Sequence, residues 1–147
     1  MRLCQARERI AFAGEQGLKN RLSQILLVDD NAVQLSIREA VLRNAGFRVS
    51  LATTPESALA TLRVLPQHIS AVVTDHLMPG CTGAELVRQI RTFNPELPVI
   101  VLSGLAEAEA EYNGLSVIFR LKPLPPSELI ELLHSSLGGA NPRRGVA

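Results

Sequence analysis

Short apolar runs alternate with helix-like patterns from residue 24 to residue 137. Residues 24–28 (QILLV) read as a first strand, followed by polar Asp29, Asp30 and Asn31. A helical pattern comes next, with Val33, Ile37, Ala40, Val41 and Ala45 on one face and Gly46 as its stop. That face is expected to meet the core, which leaves Leu35 and Leu42, with Arg38 between them, off the core stripe. Residues 47–52 read as a second strand. Thr54 and Pro55 then open a helix as capping residue and first helical position, running to about residue 65. Residues 69–74 (ISAVVT) form a third strand closed by Asp75, and Met78, Pro79 and Gly80 a turn. Further on, 82–92 reads as a helix, 97–102 (LPVIVL) as a strand, 105–112 as a weak helix, 116–121 as a strand and 126–137 as a closing helix. Five strands alternating with five helical patterns predict an α/β fold: a five-stranded parallel sheet, doubly wound, with helices on both faces. In the flavodoxin-like order 2-1-3-4-5, ligands bind beyond the carboxyl ends of the strands.

Composition narrows the class. Of 147 residues, 46% are hydrophobic and 20% charged, which is too apolar for a disordered chain. The formal net charge of +1 and the absence of Trp argue against direct nucleic-acid binding. Cys4 and Cys81 form no disulfide framework or zinc motif. No apolar run approaches the ~20 residues of a membrane span, and no secretory signal opens the chain, so a soluble, cytoplasmic protein is expected. Charge is uneven: residues 1–23 hold five basic and two acidic residues, and residues 24–137 eight basic and twelve acidic. We therefore expect a basic N-terminal extension or linker over 1–23, with a short helix possible at 2–13. An acidic domain over 24–137 and a disordered tail over 138–147 follow.

Chemistry gathers at the strand ends. The first strand ends in Asp29 and Asp30, the third in Asp75, the fourth in Ser103 and Gly104, and the fifth in Lys122. An Asp-Asp pair alone would be a solvated turn or a helix cap; Asp75 and Lys122 change that. With strands one and three adjacent, three carboxylates converge and repel unless compensated. Oxygen-only ligands suit Mg²⁺, which keeps open positions for a phosphate. The chain has only two Lys, so an ammonium at position 122 stands out as a compact charge able to reach a small site. An Asp beside a cation, a Lys and a hydroxyl is suited to form an aspartyl phosphate. His68, His76 and His134 have no ligand spacing, and His76 is read as a loop residue near the site.

The segments LLVDDN (26–31), VVTDHLMPGCTG (72–83), VIVLSG (99–104) and FRLKPL (119–124) together resemble the receiver (response-regulatory, CheY-like) domain of bacterial two-component response regulators, in wording closest to receivers of hybrid sensor kinases. The resemblance implies that Asp75 is the phosphoacceptor in a phosphorelay. Mg²⁺ would be held by Asp30, Asp75 and the carbonyl of Leu77, with Asp29 acting through water. Lys122 and Ser103 would bind phosphoryl oxygens, assisted by the backbone N–H groups of Leu77 and Gly104. Gly104 is further expected to permit close backbone approach. The Lys122-Pro123 bond is expected to be cis. Ser103 and Phe119 would form the switch, biasing a pre-existing two-state equilibrium. The partner implied is a histidine kinase or histidine phosphotransfer protein, and a monomer is favoured slightly over an oligomer.

Three features carry expectations of their own. Glu107, Glu109 and Glu111 alternate, which leaves no continuous apolar stripe, so the fourth helix is expected to be short or frayed. Leu77 and Leu105 are apolar at positions that, as the resemblance implies, flank the path of attacking water, and Leu35 with Leu42 is a candidate docking side for the phosphodonor. No output domain is expected after residue 137, so the protein is read as a stand-alone regulator, a phosphate shuttle or sink, or part of a hybrid kinase. It is expected to catalyse only its own phosphorylation and dephosphorylation. The enzymatic alternative, a Mg²⁺-dependent phosphohydrolase, lacks an Asp-x-Asp at the first strand and a lid.

Overall fold

A computed structural model describes residues 23–64 and 68–138. The expectations for 1–22, for the helix at 2–13 and for the tail beyond Gly138 lie outside the described residues. Five strands form one parallel sheet: β1 (Gln24–Val28), β2 (Arg48–Ala52), β3 (Ala71–Asp75), β6 (Val99–Ser103) and β7 (Ile118–Leu121). Their spatial order is β2-β1-β3-β6-β7, which is 2-1-3-4-5 counted along the chain. A two-strand hairpin, β4 (Leu77–Met78) and β5 (Cys81–Thr82), turns through Gly80, whose φ of 76° favours glycine. Helices α1 (Ala32–Asn44), α2 (Pro55–Val64), α3 (Gly83–Phe93) and α4 (Pro126–Leu137), with a 3-10 helix at Ala106–Tyr112, complete the fold.

Strand alternation divides the core in two. Leu26, Val28, Val72 and Val101 pack on the side of α2 and α3, whereas Ile25, Leu27, Val73 and Ile100 pack on the side of α1 and α4. The central strands are buried along their whole length, as a sheet covered on both faces requires. Local signals hold at the helix starts. Asn31 caps α1 by accepting from the N–H groups of Val33 and Gln34. The Thr54 hydroxyl accepts from Ser57 N–H, and Thr82 and Glu85 form a capping box on α3.

The expected core face of α1 is overturned. Leu35 and Leu42 are 4% and 0% exposed, while Val33 and Ile37 are 67% and 53% exposed. The helix carries two apolar stripes, and the larger leucines take the core. The charge of Arg38, lying between them in sequence, disguises their stripe. Leu35 and Leu42 therefore cannot be a docking side. The fourth helical segment is a 3-10 helix with Ala108 and Tyr112 buried, as its alternating glutamates led us to expect of a weak helix.

Gly83 marks a forced close approach. A Cβ there would lie 2.5 Å from the Tyr112 hydroxyl and 2.7 Å from the Asp75 carbonyl oxygen. Its N–H donates to the carbonyl of His76 at 2.6 Å, so the backbone cannot withdraw without breaking that bond. Gly83→Ala is expected to lower stability by about 1–3 kcal/mol, as overpacking against backbone does. Urea unfolding of the variant measures it.

Candidate functional site

The carboxyl ends of β1, β3, β6 and β7 lie along one rim of the sheet. There Asp29, Asp30 and Asp75 each offer a carboxylate oxygen, all within 4.8 Å of one another. The sheet makes this convergence: β1 pairs with β3 in register Val28↔Thr74, which brings the residues that follow side by side. Asp29 and Asp75 are buried and Asp30 is exposed.

Two cations of the chain answer two of these acids. The Lys122 ammonium forms an ion pair with Asp75 Oδ1. The Lys122 N–H donates to the Ser103 carbonyl at 2.7 Å, and the Lys122-Pro123 peptide is cis, as expected. Arg38 Nη1 lies 2.7 Å from Asp29 Oδ2, and Asn31 N–H donates to Asp29 Oδ1 at 2.9 Å. Burial pushes the Asp75 carboxyl above its ordinary value, and the charge of Asp29 adds to the rise. Lys122 and Arg38 pull the other way without cancelling it.

The remaining candidates are placed as follows. Ser103 is buried, and its hydroxyl accepts from Leu105 N–H and donates to Leu105 O, so it is held by its own loop. A Cβ at Gly104 would have no protein atom within 4 Å. Leu77 is the first residue of β4 and, like Leu105 and Leu121, keeps an exposed side chain. Phe119 is half-buried, with its ring centroid 5.7 Å from that of Tyr112.

His76 lies in the bend between β3 and β4 beside the site, as expected of a loop residue there. It is nonetheless buried, with Nδ1 2.6 Å from the Tyr112 hydroxyl and Nε2 3.2 Å from a Glu111 carboxylate oxygen. Burial, with the Glu111 charge second, raises the Tyr112 hydroxyl far above its ordinary range. A path of direct contacts thus runs from the residue after Asp75 through Tyr112 to Phe119. Arg38 and Tyr112 had no assigned place in the site. The signals that could have found them are an Arg inside a Leu-x2-Arg-x3-Leu stripe and the chain's single Tyr.

A doubly wound sheet with three acids and an ammonium at its carboxyl rim is the arrangement that the resemblance to a receiver domain implied. The comparisons with known proteins agree. Residues 25–134 match the family described as response regulator receiver domain, and the chain belongs to that family. It is 33% identical over 139 residues to the two-component response regulator ARR21 of Arabidopsis thaliana, covering 91% of this chain and 22% of that protein. It is 31% identical over 113 residues to the two-component response regulator ORR5 of Oryza sativa subsp. japonica, covering 74% of this chain and 84% of that one. The solved structure of a response regulator receiver protein from Sinorhizobium medicae superposes with a TM-score of 0.71 at 31% identity, over 79% of this chain and 94% of that one. The family is thus not confined to bacteria. The chain spans about a fifth of ARR21.

Proposed function

We propose that this receiver domain takes a phosphoryl group onto Asp75 from a phosphohistidine of a histidine kinase or phosphotransfer protein, with Mg²⁺. The phosphorus–nitrogen bond breaks as a phosphorus–oxygen bond to Asp75 forms. The observation that carries this reading is the convergence of Asp29, Asp30 and Asp75 with Lys122 seated on Asp75. The donor set fits a hard divalent cation: it is all oxygen, and Asp30 is open to solvent. Asp30, Asp75 and the Leu77 carbonyl would hold the ion, with Asp29 beside them. Bound there, it would neutralise charge on the transferring phosphoryl group.

The chain's own groups supply the rest. Asp75 is the nucleophile, and the Lys122 ammonium would move from the free carboxylate to a phosphoryl oxygen. Ser103 would exchange its hydrogen bonds with Leu105 for one to the phosphoryl group, assisted by the N–H groups of Leu77 and Gly104. Movement of that loop would reach Phe119, which lies against Tyr112 and completes the switch. The chain would catalyse only this phosphorylation and its own dephosphorylation, in which water takes the phosphoryl group from Asp75 as inorganic phosphate.

The test is intact mass after incubation with acetyl phosphate and Mg²⁺. We expect a gain of one phosphoryl group in the parent and none in Asp75→Ala. Equal gain in both would overturn the assignment.

A protein donor is favoured by the exposed apolar side chains around the acids, among them Val33, Ile37, Leu77 and Leu105. Serine at both Val33 and Ile37 is expected to slow transfer from a cognate phosphohistidine protein about tenfold or more, as loss of two apolar interface contacts does. Phosphorylation by acetyl phosphate should stay near the parent rate; parallel time courses with the two donors measure the difference.

A further inference from the structure

Arg38 occupies a place in this site that the convergence of acids does not by itself require. Asp29 is 1% exposed, and both of its carboxylate oxygens are engaged, one by Asn31 N–H and the other by Arg38. The Arg38 side chain is 13% exposed and rises from the same side of α1 as buried Leu35 and Leu42. Its guanidinium is held in place against Asp29 and is not a mobile surface cation. Asp29 in turn lies within reach of Asp30 and Asp75. A cation entering the cluster therefore meets a guanidinium one carboxylate away and must share Asp29 with it.

We infer that Arg38 is a positioning residue that sets the affinity of the acid cluster for its divalent cation. It compensates Asp29 while the cluster is empty and opposes the cation when one arrives. The inference rests on the reading of the cluster as a Mg²⁺ site. A unit charge and a divalent ion ~6 Å apart, screened as in water, repel by about 1.4 kcal/mol, which is about tenfold in affinity.

The experiment is calorimetric titration of the full chain with MgCl₂. Arg38→Gln can keep a hydrogen bond to Asp29 without the charge, and it is expected to bind Mg²⁺ about tenfold more tightly than the parent. Arg38→Lys restores the charge and should bind within about twofold of the parent. A merely structural arginine would lower the thermal midpoint of the metal-free protein and leave the affinity alone. Parent binding with unchanged affinity in Arg38→Gln would overturn this inference and leave the Mg²⁺ reading standing. No binding by the parent would overturn both. Should Arg38→Gln fail to fold, the parent supplies the test: the Arg38 guanidinium resonance should move on saturation with Mg²⁺, and a resonance that stays in place would overturn the inference.

Discussion

Lys122→Met is expected to slow phosphorylation of Asp75 by acetyl phosphate about 100-fold or more. The side chain places a compact charge directly on the Asp75 carboxylate, and its backbone is pinned to Ser103, so the ammonium is held at that carboxylate before any phosphoryl group arrives. A preorganised charge of this kind contributes about 10²–10³ in rate when it meets the charge developing in the transition state. Lys122→Arg is not expected to restore the rate, because a planar guanidinium cannot take the place of a point charge in so confined a position. Initial rates by intact mass at fixed Mg²⁺ give the comparison. A loss of only a few-fold in Lys122→Met would show that the ammonium is a bystander.

The second large effect is on stability, and it has opposite signs for two neighbouring acids. Asp75→Asn is expected to stabilise the metal-free protein at neutral pH by about 1 kcal/mol, or roughly 3–5 °C in thermal midpoint. Burial raises the Asp75 carboxyl above its ordinary value of 3.8, so the folded protein holds this proton more tightly than the unfolded chain does. Stability linked to that proton is fully present below 3.8 and is lost as the pH rises through the higher native value. At neutral pH the parent carries the whole penalty and the asparagine variant none. The gap should close as acid protonates Asp75. Lys122 loses a partner in the variant, but its side chain is 34% exposed and water can replace it. Asp29→Asn removes the carboxylate from a buried ion pair and strands the Arg38 guanidinium, at a cost of about 3 kcal/mol or more. Thermal unfolding of the three proteins with a chelator, from acid to neutral pH, measures both signs.

The strands and the acid cluster were legible because both obey local rules. Continuous apolar runs such as LPVIVL can be buried on both faces, and each ends in a polar residue that stands at the rim. Strand boundaries moved by one or two residues. The β3–β6 ladder reaches Asp75↔Leu102 and the β6–β7 ladder reaches Ser103↔Leu121, so Asp75 and Ser103 close their strands and do not merely follow them, while β3, β6 and β7 begin at Ala71, Val99 and Ile118, two residues later than expected. The burial of α1 was not legible, since Arg38 makes the true core stripe look polar. Only its pairing with Asp29 removes that cost, and a contact between a strand end and a helix face leaves no periodic trace. His76 was opaque for the same reason, as its Tyr112 partner lies 36 residues away.

Hydroxylamine trapping is the most direct test of the rim as a phosphoacceptor site. An acyl phosphate yields a hydroxamate where the phosphoryl group was attached, and peptide mass spectrometry finds the position. After loading with acetyl phosphate and Mg²⁺, the modification should fall on Asp75 and disappear when a chelator replaces the ion. Modification at Asp29 or Asp30 in place of Asp75, or none in a fully loaded sample, would contradict the account.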